Sequence, residues 1–197
     1  MKQFKIPSYQ EQIIMGKILG DGHLETANHR TYRLKIEHSI KQKFYVDWLY
    51  EQLMNLASNS PKVKLQKVKD KIYKKCWFNT SYSGSFRFYY QQFYLNGKKI
   101  APKLIGRWLT PLTLAVWFMD DGSVKSKYHQ AKIINTQAFD LTSLRRLQKA
   151  LESNFEIKTK LRKQKEGYQI YILANSTPRF KEVIGKYILE GFKYKLG

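Results

Sequence analysis

Two stretches of this chain share a pattern and lie 100 positions apart. Residues 14–22 read IMGKILGDG, and residues 114–122 read LAVWFMDDG. Each predicts an apolar helix with a carboxylate, Asp21 or Asp121, in its last turn. Because the C-terminal end of a helix carries partial negative charge, a carboxylate there is unfavourable unless a cation compensates it. A divalent metal between two such helix ends is the simplest compensator, since hard cations prefer carboxylate oxygen.

A plainer interpretation of each motif is a helix stop, in which glycine takes the left-handed conformation of a C-cap. Two motifs at the same place in two similar halves favour the paired interpretation instead. In the first motif Gly16 and Gly20 lie four positions apart, on one helix face. Each glycine costs about 1 kcal/mol of helix stability relative to alanine. We therefore expect these glycines to allow a close crossing of the two motif helices.

The order of predicted elements repeats around the two motifs. Strand pairs are predicted near residues 23–38, 62–82 and 157–173, and between the second motif and Asn135. Helices are predicted over 41–57, 86–95, 140–153 and 177–189. Both halves thus run helix, two strands, helix, two strands, helix. We divide the chain into an N-terminal half 1–95, a linker 96–110 and a C-terminal half 111–197.

The net charge indicates a polyanionic partner. The 197 residues carry 36 Lys and Arg against 15 Asp and Glu, a formal charge of +21. Such an excess opposes compaction unless a polyanion is the working partner, which favours nucleic acid. A membrane surface is the alternative, but the longest apolar run, Leu112–Met119, is too short to span a bilayer.

The N-terminus and the cysteine content bear on the compartment. The apolar stretch that follows Lys2 and Lys5 is interrupted by Lys17 and lacks a small-residue cleavage site, so we expect no secretory signal. The lone Cys76 permits no internal disulfide, which fits a reducing environment. We expect an intracellular protein of the bacterial cytoplasm or of an organelle, a mitochondrion or a chloroplast.

Alternating cations predict a basic sheet face. Apolar residues such as Leu34, Val63, Leu65, Ile157 and Leu161 take one side of the predicted strands, and basic residues take the other. A solvated surface is the plain alternative, but such a surface normally mixes charges, and acidic partners are scarce here. Two-stranded ribbons fit the major groove of DNA. The candidate DNA-contacting residues are Arg33, Lys35, Lys62, Lys64, Lys75, Asn79, Lys158, Lys160, Arg162 and Gln169.

Both motifs resemble the LAGLIDADG signature, and the whole chain resembles a single-chain, two-motif LAGLIDADG homing endonuclease of the intron-encoded monomeric group. The second half carries the stronger likeness, in residues 108–122, residues 134–137 (INTQ) and residues 194–196 (YKL). The resemblance implies an α+β fold of two pseudo-twofold-related αββαββα halves. The motif helices would pack at the interface, and two antiparallel sheets would form a saddle over double-stranded DNA.

The resemblance also implies a metal centre. Asp21 and Asp121 would be the metal-binding pair and would carry the catalytic role. Backbone carbonyls such as those of Gly20 and Asp120 would help to complete the coordination of Mg²⁺, for which Mn²⁺ is a substitute. Two or more such ions would activate water and neutralise charge during phosphodiester hydrolysis.

A basic residue from each half would lie near the metals and stabilise developing charge. Lys195 matches this position in the second half, and either Lys98 or Lys99 matches it in the linker. Simple phosphate contact is the alternative role of these lysines. None of the four histidines, His23, His29, His38 and His129, has the spacing of metal ligands, and we expect none to bind metal.

Three positions depart from the family pattern. Lys17 stands where the motif usually has an apolar residue, and Val116 and Asp120 replace small residues. These departures predict a less symmetric and less tight helix crossing.

The implied activity is a staggered double-strand cut at one long, pseudo-symmetric DNA site by a monomer. Two alternatives share the scaffold or its charge. One is a maturase that binds its own intron RNA and assists splicing, and the other is a DNA-binding protein without catalysis. Retention of both acids favours cleavage, because binding alone gains little from carboxylates that face phosphate.

Overall fold

The structure, a computed structural model, describes residues 3–126 and 129–197. Its elements follow the predicted order in each half. The first half consists of α1 (Ser8–Leu19), β1 (His23–Thr26), β2 (Tyr32–Ser39), α2 (Lys43–Leu53), β3 (Lys62–Val68), β4 (Lys71–Asn79) and α3 (Arg87–Phe93). A short connection follows, with β5 (Tyr94–Leu95), β6 (Lys98–Lys99) and α4 (Ile105–Trp108). The second half consists of α5 (Pro111–Asp121), β7 (Gly122–Ser126), β8 (His129–Ile134), α6 (Leu141–Phe155), β9 (Thr159–Gln164), β10 (Gly167–Ile172) and α7 (Thr177–Ile184).

The two large sheets have the same topology. The first has the strand order β1-β2-β4-β3, the second β7-β8-β10-β9, and their pairings are antiparallel. Equivalent central pairs, Ile36 with Phe78 and Ile134 with Ile170, are fully buried on the helix-covered faces. The equal order of elements and strands confirms the predicted repeat of two αββαββα halves.

Local sequence explains where the helices of the second half begin. The Thr110 side chain accepts a hydrogen bond from the Thr113 amide, and proline occupies the first turn of α5. Asp140 caps α6 by accepting from the Ser143 amide at 2.7 Å. The apolar stripe of α6 then packs under the second sheet through Leu144, Leu147 and Leu151, all fully buried.

The apolar face predicted for the second hairpin of the first half is wrong. Val63 and Leu65 are 47% and 69% exposed. The far half of the β3–β4 hairpin extends beyond the helical layer, because burial along β4 begins only at Cys76. Period-two alternation identifies opposite faces of a strand but does not show whether a helix covers one of them.

The predicted linker is folded. Asn96 and Gly97, with φ of 50° and 76°, form the two-residue turn between β5 and β6. Ala101 and Ile105 are buried in the core that both halves share. Because this segment packs so closely, it fixes where β6 projects its two lysines.

Candidate active site

The crossing of α1 and α5 is tight. A Cβ placed on Gly16 would lie 2.7 Å from both the Thr113 carbonyl oxygen and the Val116 Cβ. One placed on Gly20 would lie 2.3 Å from Oδ2 of Asp120. Gly16 and Gly20 therefore allow the two motif helices to pack closely against each other. The alternative interpretation of Gly22 and Gly122 as left-handed C-caps is wrong, because neither glycine has a positive φ, and φ at Gly122 is −73°.

The two motif carboxylates line the same cleft, of about 420 Å³, between the halves. They are held differently. Asp121 is the last residue of α5, whereas α1 ends at Leu19, so Asp21 lies two residues past the helix and not in its last turn as predicted. Asn135 supports the Asp121 end of the cleft by donating from its side chain to the Asp121 carbonyl at 2.8 Å.

Burial and two neighbouring carboxylates perturb Asp121. Desolvation is the largest cause, and the charges of Asp120 and Asp21 add to it, which together raise the pKa of Asp121 to about 8. Each cause penalises the ionised form. A cation in the cleft would reverse this effect, which is the electrostatic situation that the sequence predicted at these helix ends.

Two of the three candidate lysines contact the C-terminal ends of the motif helices. The Lys99 ammonium donates to the Gly20 carbonyl at 2.6 Å, and the Lys195 ammonium donates to the Met119 carbonyl at 2.6 Å and the Asp120 carbonyl at 3.3 Å. Each thus compensates the negative end of one motif helix. Burial lowers the pKa of both lysines. Lys98 lies on the other side of the short strand β6 and is exposed.

Asp120 is the centre of a buried ion pair that the sequence did not predict. The Lys17 ammonium lies 2.7 Å from both carboxylate oxygens of Asp120, and both side chains are fully buried. The same ammonium lies 2.8 Å from Nε2 of His38. Two of the departures from the family pattern are therefore paired with each other, and the crossing stays tight.

Asp21, His38 and Asp120 offer ligand atoms within 4.8 Å of one another, a spacing that could hold a metal ion. The Lys17 ammonium, however, already contacts two of the three groups at hydrogen-bond distance. Burial, followed by the charge of Lys17, lowers the pKa of His38 to about 3, so its ring is neutral. An ammonium therefore satisfies this cluster, and His38 is better described as a partner of Lys17 than as a metal ligand.

The predicted DNA-contacting residues of the first half share one face. Residues paired across an antiparallel sheet lie on the same side, and the pairs Lys35 with Asn79, Lys62 with Trp77 and Lys64 with Lys75 all lie on the open face. Arg33 joins this face through its pairing with Glu25. Asn79 is itself buried, with 6% exposure, whereas Lys62 is exposed.

Two acidic residues on this face were missed. Glu25 accepts from Arg33 at 2.7 Å and lies 3.3 Å from Lys35. Glu37 lies 2.6 Å and 2.9 Å from the ammonium groups of Lys64 and Lys75. The expectation that acidic partners are scarce is therefore wrong for this sheet, where two glutamates hold four cations in place. Period-two spacing in β2 was the signal for Glu37, which shares the parity of Arg33 and Lys35.

The predicted DNA-contacting residues of the second sheet also share its open face. Lys160 pairs with Tyr171 and Arg162 with Gln169, so all four side chains lie on one side. Gln169 donates to the Asn135 side chain at 2.7 Å, which connects this face to the Asp121 end of the cleft. Lys158 precedes β9 with the same parity and is exposed.

Two open, basic sheets beside paired carboxylates at crossed helix ends define the two-motif LAGLIDADG class of fold. The chain belongs to the LAGLIDADG DNA endonuclease family, whose sequence pattern matches residues 11–180. It is 30% identical to the DNA endonuclease I-ChuI of Chlamydomonas applanata over 204 residues, which cover 95% of this chain and 94% of that protein.

Two further relatives widen the comparison. The chain is 33% identical over 199 residues to the cytochrome b mRNA maturase bI2 of Saccharomyces cerevisiae, covering 94% of this chain but only 46% of that protein. The solved structure of the homing endonuclease I-WcaI bound to its DNA recognition sequence matches with a TM-score of 0.92 at 24% identity, covering 99% of this chain and 88% of that one. No helix among the described residues combines the length and the apolar character that crossing a bilayer requires.

Proposed function

We propose that this protein is a site-specific DNA endonuclease that makes a staggered double-strand cut in a long, pseudo-symmetric target. The observation that carries the proposal is the position of Asp21 and Asp121, one from each half, in one cleft between two basic sheets. Two related half-sites of one duplex would meet the two sheets, and each carboxylate would serve one strand. Relatedness to the I-ChuI endonuclease over nearly its full length supports this activity.

The donor set fits a divalent cation such as Mg²⁺ or Mn²⁺. Asp21 and Asp121 supply hard oxygen ligands, and the pKa of about 8 at Asp121 reflects first its burial and then the charges of Asp120 and Asp21, all of which a cation would offset. When bound, the metal would supply an activated water and neutralise charge on the scissile phosphate. Gly20 and Asp120 would contribute backbone carbonyls, which already accept from the two buried lysines.

The protein's own groups would position the reacting phosphates. Lys99 lines the cleft, Lys195 contacts the C-terminal carbonyls of α5 beside it, and carbonyl acceptors fix both ammonium groups. Fixed donors stabilise developing negative charge without reorganisation during the reaction. The cations and polar groups of the open sheet faces would hold the duplex through phosphates and base edges.

The test is plasmid cleavage on a library of candidate sites with Mg²⁺ or with EDTA. We expect Asp21→Asn and Asp121→Asn to abolish double-strand cutting while the Kd for DNA stays within about threefold, because each change removes a metal ligand but little of the sheet surface. Asp47→Asn is the matched control, since Asp47 lies on the surface of α2 and pairs only with Lys43 in the described structure. Normal cutting by either motif variant would refute the assignment.

Relatedness to the yeast maturase favours one second candidate function, the binding of the protein's own intron RNA during splicing. Because metal-dependent cutting and RNA binding need different groups, the Asp21→Asn/Asp121→Asn double variant should still promote splicing in a self-splicing assay. Failure of the folded wild-type protein to promote splicing would count against a maturase role, and loss of splicing in the double variant alone would show that the two activities share groups. We further propose that the protein acts as a monomer inside a bacterial cell or an organelle, since one chain supplies both halves of the centre.

A further inference from the structure

The carboxylate of Asp120 connects the two halves at the active site. Besides its bidentate contact with Lys17, its Oδ2 atom accepts a hydrogen bond from the backbone amide of Asp21 at 2.9 Å. The lysine and the amide both belong to the first half, and the carboxylate belongs to the second. A group from one half thus holds the backbone of the other half's candidate metal ligand.

The contact is not repeated by symmetry. The first-half counterpart of Asp120 is Gly20, which has no side chain to offer to Asp121. Gly20 must also remain glycine for the contact to form, since its Cβ would lie 2.3 Å from the Asp120 carboxylate. The Asp21 amide therefore bonds to a carboxylate from the opposite half, whereas residue 20 offers no side chain to Asp121.

His38 extends the contact to the side chain of Asp21. An ammonium can only donate, so Nε2 of His38 accepts from Lys17, and the ring proton then lies on Nδ1. That Nδ1–H group points toward the Gln42 side-chain oxygen at 3.1 Å and lies 3.7 Å from Oδ2 of Asp21. Lys17 thus orients both the carboxylate that holds the Asp21 backbone and the ring beside the Asp21 side chain.

The two motif acids differ in how their backbones are fixed, and this difference explains why Asp21 needs the contact with Asp120. Asp121 belongs to the last turn of α5, so helix geometry fixes its backbone. Asp21 follows a residue with φ −90° and ψ −134°, outside helical geometry, and needs an external support. We propose that Asp120, whose buried charge Lys17 balances, is the positioning residue for Asp21 and supports one of the two strand cuts and not the other. This proposal rests on the proposed endonuclease function.

The test compares two charge-neutral double variants, because single changes would leave a buried charge unpaired. In Lys17→Met/Asp120→Asn, the asparagine oxygen can still accept from the Asp21 amide. In Lys17→Met/Asp120→Ala, that acceptor is absent. We expect the alanine variant to cut one strand at least tenfold more slowly than the other in single-turnover assays with both strands labelled, so that nicked DNA accumulates. The asparagine variant should restore a ratio of strand rates within about threefold of wild type.

A second readout does not depend on cleavage. In the metal-free, DNA-free protein, NMR should show the Asp21 amide exchanging at least tenfold faster in the alanine variant than in the asparagine variant. Equal exchange rates, or equal slowing of both strands, would overturn the positioning role. If the wild-type protein fails to cut any DNA, the proposed function fails, and the amide exchange still decides whether Asp120 holds Asp21.

Discussion

Replacing Gly16 with alanine tests whether close contact between the motif helices holds the two halves together. Gly16 lies inside α1, where alanine alone would favour the helix by about 1 kcal/mol. The new Cβ, however, would meet a backbone oxygen, Thr113 O, at 2.7 Å. A backbone atom cannot rotate away, so the crossing must open by roughly 0.7 Å to reach the ordinary contact of 3.4 Å.

Such overpacking typically costs about 1–3 kcal/mol. Because roughly 1 kcal/mol of helix propensity offsets part of this cost, we expect a net loss of up to about 2 kcal/mol. For a chain of this size that loss lowers Tm by up to about 8 °C. Urea and thermal unfolding, followed by circular dichroism, would measure the change.

Gly185→Ala is the matched control. Gly185 has φ −54° and ψ −41°, and a Cβ there would meet no atom within 4 Å. Alanine should therefore stabilise the protein by about 0.4–1 kcal/mol through the lower entropy of the unfolded chain. If Gly16→Ala raises the free energy of unfolding as Gly185→Ala does, the close crossing is not what holds the halves together.

Three further predictions concern charge. In EDTA, Asp121→Asn should be more stable than wild type by up to a few kcal/mol. Because the pKa of Asp121 in the folded protein, about 8, lies above its unfolded value near 4, this gain in stability should grow from about pH 4 and level off above about pH 8. A gain that does not change with pH would contradict its origin in the ionisation of Asp121. Lys160→Ala/Arg162→Ala should reduce the slope of log Kd against log salt by about 2, and an unchanged slope would mean that these cations do not contact phosphate. Asp120→Ala should cost about 3–5 kcal/mol of folding free energy by leaving Lys17 buried and unpaired. Adding Lys17→Met should recover most of that loss, and equal instability of both variants in urea would contradict the ion pair's role.

Periodicity and spacing predict much of this fold, since they report local preference. The period-two strands and the apolar motif helices depend on neighbours close in sequence, and the structure contains them in both halves. Val63 and Leu65 lie in a correctly predicted strand but on a surface that no helix covers, which depends on tertiary placement. Local patterns therefore assign faces more reliably than they assign burial.

The buried network was beyond sequence reasoning for the same reason. Lys17 and Asp120 are separated by 103 positions, and each, considered alone, is an unfavourable residue for a tight apolar crossing. Only the packing of α1 against α5 shows that the charge of Lys17 compensates the buried charge of Asp120. Lys99 could be distinguished from Lys98 only once β6 was known to place the former on the same side as the buried Tyr94.

A single chain makes this unequal pair feasible. In a symmetric homodimer both motif helices would carry the same residues, so the position that is Gly20 on one helix and Asp120 on the other could not be glycine and carboxylate at once. Two motifs in one chain can instead place Lys17 on one helix and Asp120 on the other, at 2.7 Å, and leave Gly20 where a second carboxylate would otherwise stand. The same separation of the motifs lets the two acids differ, since Asp121 belongs to its helix whereas the backbone amide of Asp21 donates to the Asp120 carboxylate of the opposite half. For the proposed endonuclease, whose target would be only approximately symmetric, inequivalent supports for the two acids would allow the rate of each strand cut to change independently.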